Sequence, residues 1–194
     1  MKHHTGRLEV ITGPMFCGKT DELIRRLRRA VIAKQKIQVF KPGFDIRYNS
    51  EKVTSHAGNE YDALPIDQVT EISVRLPNQV TVVAIDEAQF FGKEIIPVVE
   101  NLVEEDIRVI VAGLDMDFRG KPFGLMPELL AKAEVVDKLH AICMTCGEKA
   151  TRTQRLVDGK PAYYEDPVVI VGASELYEAR CRRHHQVPRK KKDQ

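Results

Sequence analysis

The sequence predicts an α/β fold in which helices cover both faces of a parallel sheet. Between residues 7 and 113, short β-branched segments alternate with longer segments of helical periodicity, as in successive βαβ units. Three of the β segments are nearly continuous apolar runs, which is typical of strands buried on both faces. A chain of 194 residues with 43% hydrophobic residues is long enough to bury a substantial core.

Apolar periodicity assigns the elements of this region. The predicted strands are residues 7–11, 36–41, 80–86 and 108–114. The predicted helices are residues 20–34 and 92–106. In the first helix, the spacing of four apolar residues predicts one buried face, made of Leu23, Ile24, Leu27 and Val31. We expect the arginine-rich face of the same helix to be solvated.

The composition of the chain changes after about residue 115. Residues 115–124 contain two glycines, one proline and two phenylalanines, which predict a structured loop. Cysteines and short strand-like segments follow residue 140. We therefore expect an α/β core at residues 1–140, a small β-rich lobe at residues 141–187, and a basic, disordered tail at residues 188–194.

Charge and hydropathy bear on the class of partner and on the compartment. The formal net charge is +2, so no overall field favours a nucleic acid. The longest apolar run is too short to cross a membrane, and no apolar segment of a secretion signal follows the N-terminal charges. We expect a cytoplasmic protein without a membrane or nucleic-acid partner. In that compartment, four cysteines are metal ligands or buried thiols rather than disulfides.

Residues 13–20, GPMFCGKT, match the phosphate-binding pattern G-x-x-x-x-G-K-[ST] between a predicted strand and a predicted helix. Gly13 and Gly18 allow backbone N–H groups to converge on phosphate oxygens. Lys19 is expected to place its charge between the β- and γ-phosphates of ATP, and Thr20 its hydroxyl on Mg²⁺. The residues predicted to form this phosphate loop are Gly13, Pro14, Met15, Phe16, Cys17, Gly18, Lys19 and Thr20.

The strand VVAIDE, residues 82–87, ends in two acidic residues. Asp86 is predicted to hold Mg²⁺ through its water shell at the carboxyl edge of the sheet. Glu87 is suited to accept a proton from the group that attacks the γ-phosphorus. That group is either water, as in an ATPase, or a substrate hydroxyl, as in a kinase; a GTPase is disfavoured because no N-K-x-D segment is present. With the phosphate loop, this strand predicts a P-loop parallel sheet of the RecA-like kind.

Two ligand pairs in the lobe predict a structural zinc site. Cys143 and Cys146 have C-x-x-C spacing, and Cys181 and His184 have C-x-x-H spacing. Four protein ligands leave no open position for catalysis. A redox dithiol would explain the first pair alone. His185 is a competing ligand, and His184 is favoured because its spacing mirrors that of the first pair.

Taken in order, the segments of the chain resemble one family, the type II, zinc-containing thymidine kinases of the cytosol of bacteria and animals. The resemblance covers about residues 7–187. It rests on GPMFCGKT, FKPGFDIRY, AIDEAQFF, AGLDMDFRGKPFG, CMTC, TRTQRL, VGASELYEARC and CRRH, in the family's order and at its spacings. It implies transfer of the γ-phosphate of ATP to the 5′-hydroxyl of thymidine, with Mg²⁺ as cofactor. It also implies a homotetramer that thymidine triphosphate inhibits.

The resemblance assigns roles near the phosphates. Glu87 corresponds to the family's general base, and Asp86 to its magnesium-associated carboxylate. Asp45 lies in the family's ATP-binding region, and Arg47 is a catalytic candidate that spreads charge on the transferring group. Gln89 falls in the nucleotide-contacting stretch. Cys17 stands where serine is more usual in the family, and we expect it to make the protein sensitive to thiol reagents.

The resemblance also assigns a nucleoside pocket. Phe118 corresponds to the aromatic residue that stacks on thymine. The backbone of a five-residue segment is expected to pair with the pyrimidine edge, and it consists of Val168, Val169, Ile170, Val171 and Gly172. Tyr177 forms a wall of the pocket, and Met15, Leu114 and Thr153 surround the thymine methyl group. The zinc lobe would hold the base of a flap that closes on the nucleoside.

A different class of function is also compatible with the motifs. A zinc-ribbon P-loop ATPase that acts on DNA or on a protein partner would use the same phosphate loop and the same strand ending. The loop at residues 115–124, the segment at residues 168–177 and the lack of an evident second motor motif favour the kinase.

Overall fold

The computed structural model describes residues 6–43, 52–55, 58–169 and 176–190. The strands are β1 (Arg7–Thr12), β2 (Ile37–Pro42), β3 (Lys52–Thr54), β4 (Glu60–Asp62), β5 (Leu64–Ile66), β6 (Val82–Ile85), β7 (Arg108–Gly113), β8 (Val135–Lys138), β9 (Ala141–Ile142), β10 (Lys149–Ala150), β11 (Arg152–Val157), β12 (Lys160–Pro161) and β13 (Leu176–Arg180). The α-helices are α1 (Lys19–Ile32), α2 (Glu71–Arg75), α3 (Ile95–Glu104) and α4 (Met126–Lys132), and a 3₁₀ helix spans Ala88–Phe90.

A six-stranded sheet with the order β5-β2-β6-β7-β1-β8 forms the centre of the fold. Every pairing in it is parallel. Alternate residues of β1 face opposite sides of the sheet: Val10 packs with residues of α3 and α4, and Ile11 packs with residues of α1. This two-sided burial confirms the predicted α/β class, because both faces of the sheet are covered by helices.

The four predicted strands correspond to β1, β2, β6 and β7, with ends within about two residues of the prediction. The two predicted helices correspond to α1 and α3, although α3 begins at Ile95 because residues 92–94 lead into it as a turn. The edge strands β5 and β8 were not among the predicted elements. Both are short, and β8 is largely exposed, so neither has the apolar run of a central strand.

Two expectations about α1 were wrong. Val31 is 52% exposed, and Ala30 occupies the last buried position of the helix instead. The arginine-rich face is not wholly solvated, because the side chain of Arg26 is buried and pairs with Glu9 on β1. Arg26 also binds Glu22 and Asp137. Arg26 therefore lies on the buried face of α1, where these carboxylates compensate its charge.

The C-terminal part carries small antiparallel sheets, one made of β9 and β10 and one with the order β12-β11-β13. Residues assigned to the tail from sequence partly contact this lobe: Tyr164 N–H donates to the carbonyl of Pro188 at 2.8 Å, and Lys190 Nζ lies 3.0 Å from Asp166 Oδ1. Residues 191–194 lie outside the described part of the chain. Across the described segments, none of the helices has the length and apolar character needed to span a bilayer.

Candidate active site and metal centre

The phosphate loop follows β1 at the carboxyl edge of the sheet. Thr12 Oγ1 donates to the carbonyl of Gly113 at 2.8 Å, which ties the end of β1 to the end of β7. Gly13 has φ +141°, and a Cβ there would lie 2.5 Å from the carbonyl oxygen of Leu139. Gly18, which precedes α1, has φ +83°. Both positions therefore require glycine, one because of crowding and both because of backbone angle.

Asp86 and Glu87 follow β6 at the same edge of the sheet. Because β7 lies between β6 and β1, Asp86 is two strand spacings from the phosphate loop, or about 10 Å. Asp86 is 7% exposed, and the Glu87 N–H donates to its Oδ1 at 2.9 Å. The Asp86 carboxylate and the Thr20 hydroxyl are oxygen donors of the kind that Mg²⁺ prefers.

Glu87 has φ +50°, a left-handed conformation that is costly for a residue other than glycine. Its carboxylate accepts a hydrogen bond from the side-chain amide of Gln89, a residue of the following 3₁₀ helix. The oxygen of that Gln89 amide accepts a hydrogen bond from the N–H of Leu114 at 3.0 Å. The structure thus brings together three residues with different predicted roles: Glu87 as the general base, Gln89 in nucleotide contact and Leu114 beside the thymine methyl group.

The phosphate loop contacts the lobe directly. The N–H of Met15 donates to Thr153 Oγ1 at 3.0 Å, so two predicted pocket residues from distant parts of the chain are adjacent. Cys17 packs against a small cluster in the lobe that includes Cys143. Burial raises the pKa of the Cys17 thiol and disfavours its reactive thiolate, which argues against the expected sensitivity to thiol reagents.

The loop at residues 115–124 is structured, as predicted, and hydrogen bonds to its own Asp117 side chain stabilise it. Asp117 Oδ1 accepts from the N–H groups of Arg119 at 2.9 Å and Lys121 at 3.0 Å. Phe118 is 4% exposed, and the guanidinium carbon of Arg155 lies 5.3 Å from the centroid of its ring. One contact partner of the Phe118 ring is therefore a buried cation.

His185 was considered from sequence only as an alternative metal ligand, and the structure gives it a different contact. Its Nε2 is 2.8 Å from the carbonyl oxygen of Phe118, so it ties the loop to the lobe. Burial lowers the pKa of His185, which favours the neutral imidazole with a donor at Nε2. Sequence reasoning also assigned no role to Arg155, although it lies in the quoted segment TRTQRL. The available signal was the presence of Arg155 in a segment that carries the resemblance.

The remaining predicted pocket residues are described only in part. Val168 and Val169 lie in irregular chain, and Val169 is 44% exposed. Arg155 binds the carbonyl of Pro167, just before this segment. Tyr177 is half-buried on β13, opposite Arg155 in the strand register. The predicted site residues Asp45, Arg47, Ile170, Val171 and Gly172 lie outside the described residues.

Four predicted metal ligands meet in the lobe. The ligand atoms of Cys143, Cys146, Cys181 and His184 all lie within 4.8 Å of one another. Cys146 Sγ and Cys181 Sγ are 3.9 Å apart, and His184 Nδ1 is 3.8 Å from Cys143 Sγ and 3.2 Å from Cys181 Sγ. A tetrahedron with Zn–S bonds of about 2.3 Å and a Zn–N bond of about 2.0 Å has edges of about 3.5–3.8 Å. The donor set and its spacing therefore fit zinc.

The backbone around the cluster favours the thiolate at Cys143, whereas the neighbouring Cys143 and Cys181 raise the pKa of Cys146. Burial acts to raise the pKa of Cys143, but hydrogen bonds from the backbone of Cys181, Thr145 and Cys146 outweigh it and lower the pKa to about 5. The turn that carries the first pair closes through Gly147, which has φ +74° and donates its N–H to the Cys143 carbonyl at 2.9 Å. The sequence spacing thus leads to a tight turn at the first ligand pair.

A phosphate loop and an acidic strand end on one edge of a parallel sheet define a P-loop α/β protein, and its lobe carries a Cys₃His group that could hold a metal ion. The family model described as "Thymidine kinase" matches residues 6–185. The chain belongs to the thymidine kinase family, which confirms the resemblance found in the sequence.

One structural neighbour is the crystal structure of domain III from the Thermotoga maritima replication initiation protein DnaA. It is 15% identical, with a TM-score of 0.44, and the match covers 71% of this chain and 56% of that one. A likeness at this level carries no conclusion about the function of the chain.

Proposed function

We propose that the protein transfers the γ-phosphate of ATP to the 5′-hydroxyl of thymidine and forms thymidine monophosphate. The observation that carries this proposal is the position of Glu87. It follows Asp86 at the carboxyl edge of the sheet, two strands from the phosphate loop, in a chain of the thymidine kinase family. A carboxylate at this position is suited to take the proton of an attacking hydroxyl.

Different residues of the proposed site bind the phosphates, hold Mg²⁺ and accept the proton. The backbone of the phosphate loop and Lys19 bind the phosphates of ATP, and the positive end of α1 adds to their attraction. Thr20 and Asp86 are the residues that would hold Mg²⁺, which when bound neutralises charge on the phosphates. Glu87 accepts the proton of the 5′-hydroxyl, and we propose Arg47 and Asp45 as further groups near the phosphates.

The nucleoside side of the site is proposed from the loop at residues 115–124 and the lobe. Phe118 would stack on thymine, with Met15, Leu114, Thr153 and Tyr177 around it. The hydrogen bond between Met15 and Thr153 supports this arrangement, because it joins the ATP side of the site to the lobe. The backbone of residues 168–172 would pair with the base edge and close over it, and this closure would exclude water from the transfer.

We propose structural zinc for the Cys₃His cluster, where it would cross-link the end of β9 to the end of β13. The division into a core at residues 1–140 and a lobe at residues 141–187 follows the same reasoning. A cytoplasmic location, a homotetramer and inhibition by thymidine triphosphate are proposed on the basis of the family resemblance.

A product assay separates the kinase from the ATPase alternative. With γ-labelled ATP, thymidine should acquire the label, whereas 5′-deoxythymidine, which has the same base and lacks the accepting hydroxyl, should not. The opposite pattern, with no labelled thymidine monophosphate and with phosphate release that DNA stimulates, would remove the kinase proposal in favour of an ATPase.

A further inference from the structure

Gln89 is a buried amide whose orientation is fixed by its partners. It lies in the 3₁₀ helix after β6 and is 3% exposed. Its Oε1 accepts from the backbone N–H of Leu114 at 3.0 Å. Because a backbone N–H can only donate, the oxygen end of the amide must face Leu114 and the NH₂ end must face the other way.

The NH₂ end of Gln89 meets the carboxylate of Glu87. Nε2 donates to Glu87 Oε2 at 2.5 Å, which is a short hydrogen bond to an acidic group. One orientation of the amide therefore serves both contacts: its oxygen accepts from Leu114 and its NH₂ group donates to Glu87. The side chain therefore links the 3₁₀ helix that follows β6 to the end of β7.

Two glycines enclose Gln89. A Cβ at Gly113 would lie 2.6 Å from Gln89 Oε1, and a Cβ at Gly124 would lie 2.3 Å from the Gln89 carbonyl oxygen. Gly124 also has φ +52°, so a side chain there is strained whatever the space. The close approach of Gly113 leaves the side-chain amide little room on that side, and the close approach of Gly124 confines the backbone of Gln89.

We infer that Gln89 is a positioning residue that orients the Glu87 carboxylate for proton abstraction, and that it is not a ligand of ATP or Mg²⁺. Since Nε2 binds Oε2, the other oxygen, Oε1, is left to accept the proton of the hydroxyl. Glu87 also has a left-handed backbone, a strained conformation that persists where surrounding groups hold it and that is common at active sites, and Gln89 is one of those surrounding groups. The inference rests on the proposed role of Glu87 as the base.

If Gln89 acts only through the base, its removal should lower kcat and leave KM nearly unchanged. Gln89→Met keeps the length of the side chain and removes both hydrogen bonds. We expect kcat to fall by about 10- to 100-fold, since a misplaced catalytic group costs on that order. The KM values for ATP and thymidine should change by less than about threefold, because an interaction used only in the transition state is lost. A ligand of ATP or Mg²⁺ would instead raise the KM for ATP.

A double-mutant cycle with Glu87→Gln tests whether Gln89 acts through Glu87. Once the base is gone there is nothing left to orient, so Glu87→Gln and the double variant should turn over at rates within about threefold of each other. If Gln89→Met costs its full factor in the Glu87→Gln background, or raises the KM for ATP tenfold, the inference is overturned and the proposed function stands. If Glu87→Gln alone keeps wild-type turnover, it is the base assignment that fails.

Gly113→Ala serves as a second variant should Gln89→Met fold poorly. Its methyl group would lie 2.6 Å from Gln89 Oε1 and 2.8 Å from Met126 Sδ, so it would crowd both side chains while every polar group of the site stays in the chain. The same loss of kcat at constant KM is expected. Equal kcat for Gly113→Ala and wild type, at equal thermal stability, would count against the positioning role.

Discussion

The network around Glu9 allows the effect of one substitution to be worked out in detail. Glu9 lies on β1 and is 4% exposed, and its carboxylate binds Arg7, Arg26 and Arg108 with contacts of 2.7 Å. Burial alone would raise the pKa of Glu9, but hydrogen bonds and charge from Arg108 and Arg7 outweigh it and lower the pKa from 4.5 to about 2. A shift of this size corresponds to stabilisation on the order of 3 kcal/mol.

The sign of the pH dependence follows from the lowered pKa. The stabilisation is fully present above the unfolded value of 4.5 and is lost as pH falls through about 2. Glu9→Gln leaves the arginines without their anion, so it should lower the free energy of unfolding at pH 7 by about 3 kcal/mol. In urea, with a slope of roughly 1–3 kcal/mol per molar, the midpoint should fall by about 1–3 M.

Equilibrium unfolding of Glu9→Gln against wild type at pH 7 and at pH 3.5 measures this effect. The matched control is Glu60→Gln, which removes an ion pair with Lys52 whose side chains are 36% and 44% exposed, and which should cost less than about 1 kcal/mol. The difference between wild type and Glu9→Gln should narrow at pH 3.5. A difference below about 0.5 kcal/mol at pH 7, or one that stays constant in acid, would refute the reasoning.

Three further predictions concern the metal and the phosphate loop. Elemental analysis should find about one zinc per chain, and Cys181→Ala should lose it together with thermal stability; a folded wild-type protein without metal would contradict the zinc assignment. Thr153→Val removes the acceptor of the Met15 N–H and should lower the free energy of unfolding by about 1–3 kcal/mol in a urea titration, while an unchanged free energy would show that the contact is dispensable. Wild type and Cys17→Ser should lose activity equally slowly in N-ethylmaleimide, because the half-buried Cys17 thiol has a raised pKa; protection by the serine would show that Cys17 reacts.

Local patterns account for what could be predicted from the sequence. The glycines of the phosphate loop, the acidic end of β6 and the two ligand pairs of the lobe each lie within a few residues of one another, so spacing alone constrains their geometry. Apolar periodicity located the central strands and two helices, because buried strands and amphipathic helices differ in period.

The rest of the site depends on contacts between distant residues, which no local pattern contains. The bonds from Met15 to Thr153, and from His185 to Phe118, join residues 138 and 67 positions apart. The burial of Arg26 was missed for a related reason, since its partner Glu9 lies on another element and makes a buried charge tolerable there. Gln89 was assigned to nucleotide contact by the family resemblance, and its bond to Leu114, just after β7, joins residues 25 positions apart.

The role of Glu87 as the base is best tested by measuring the turnover of Glu87→Gln together with its substrate binding. We expect formation of thymidine monophosphate to fall by about 10²- to 10⁴-fold, while the Kd values for ATP and thymidine remain within about threefold of wild type. Glu87 would then be needed for the chemical step and not for binding. Wild-type turnover in this variant would contradict the account, because the proton of the 5′-hydroxyl would then have to be taken by another group.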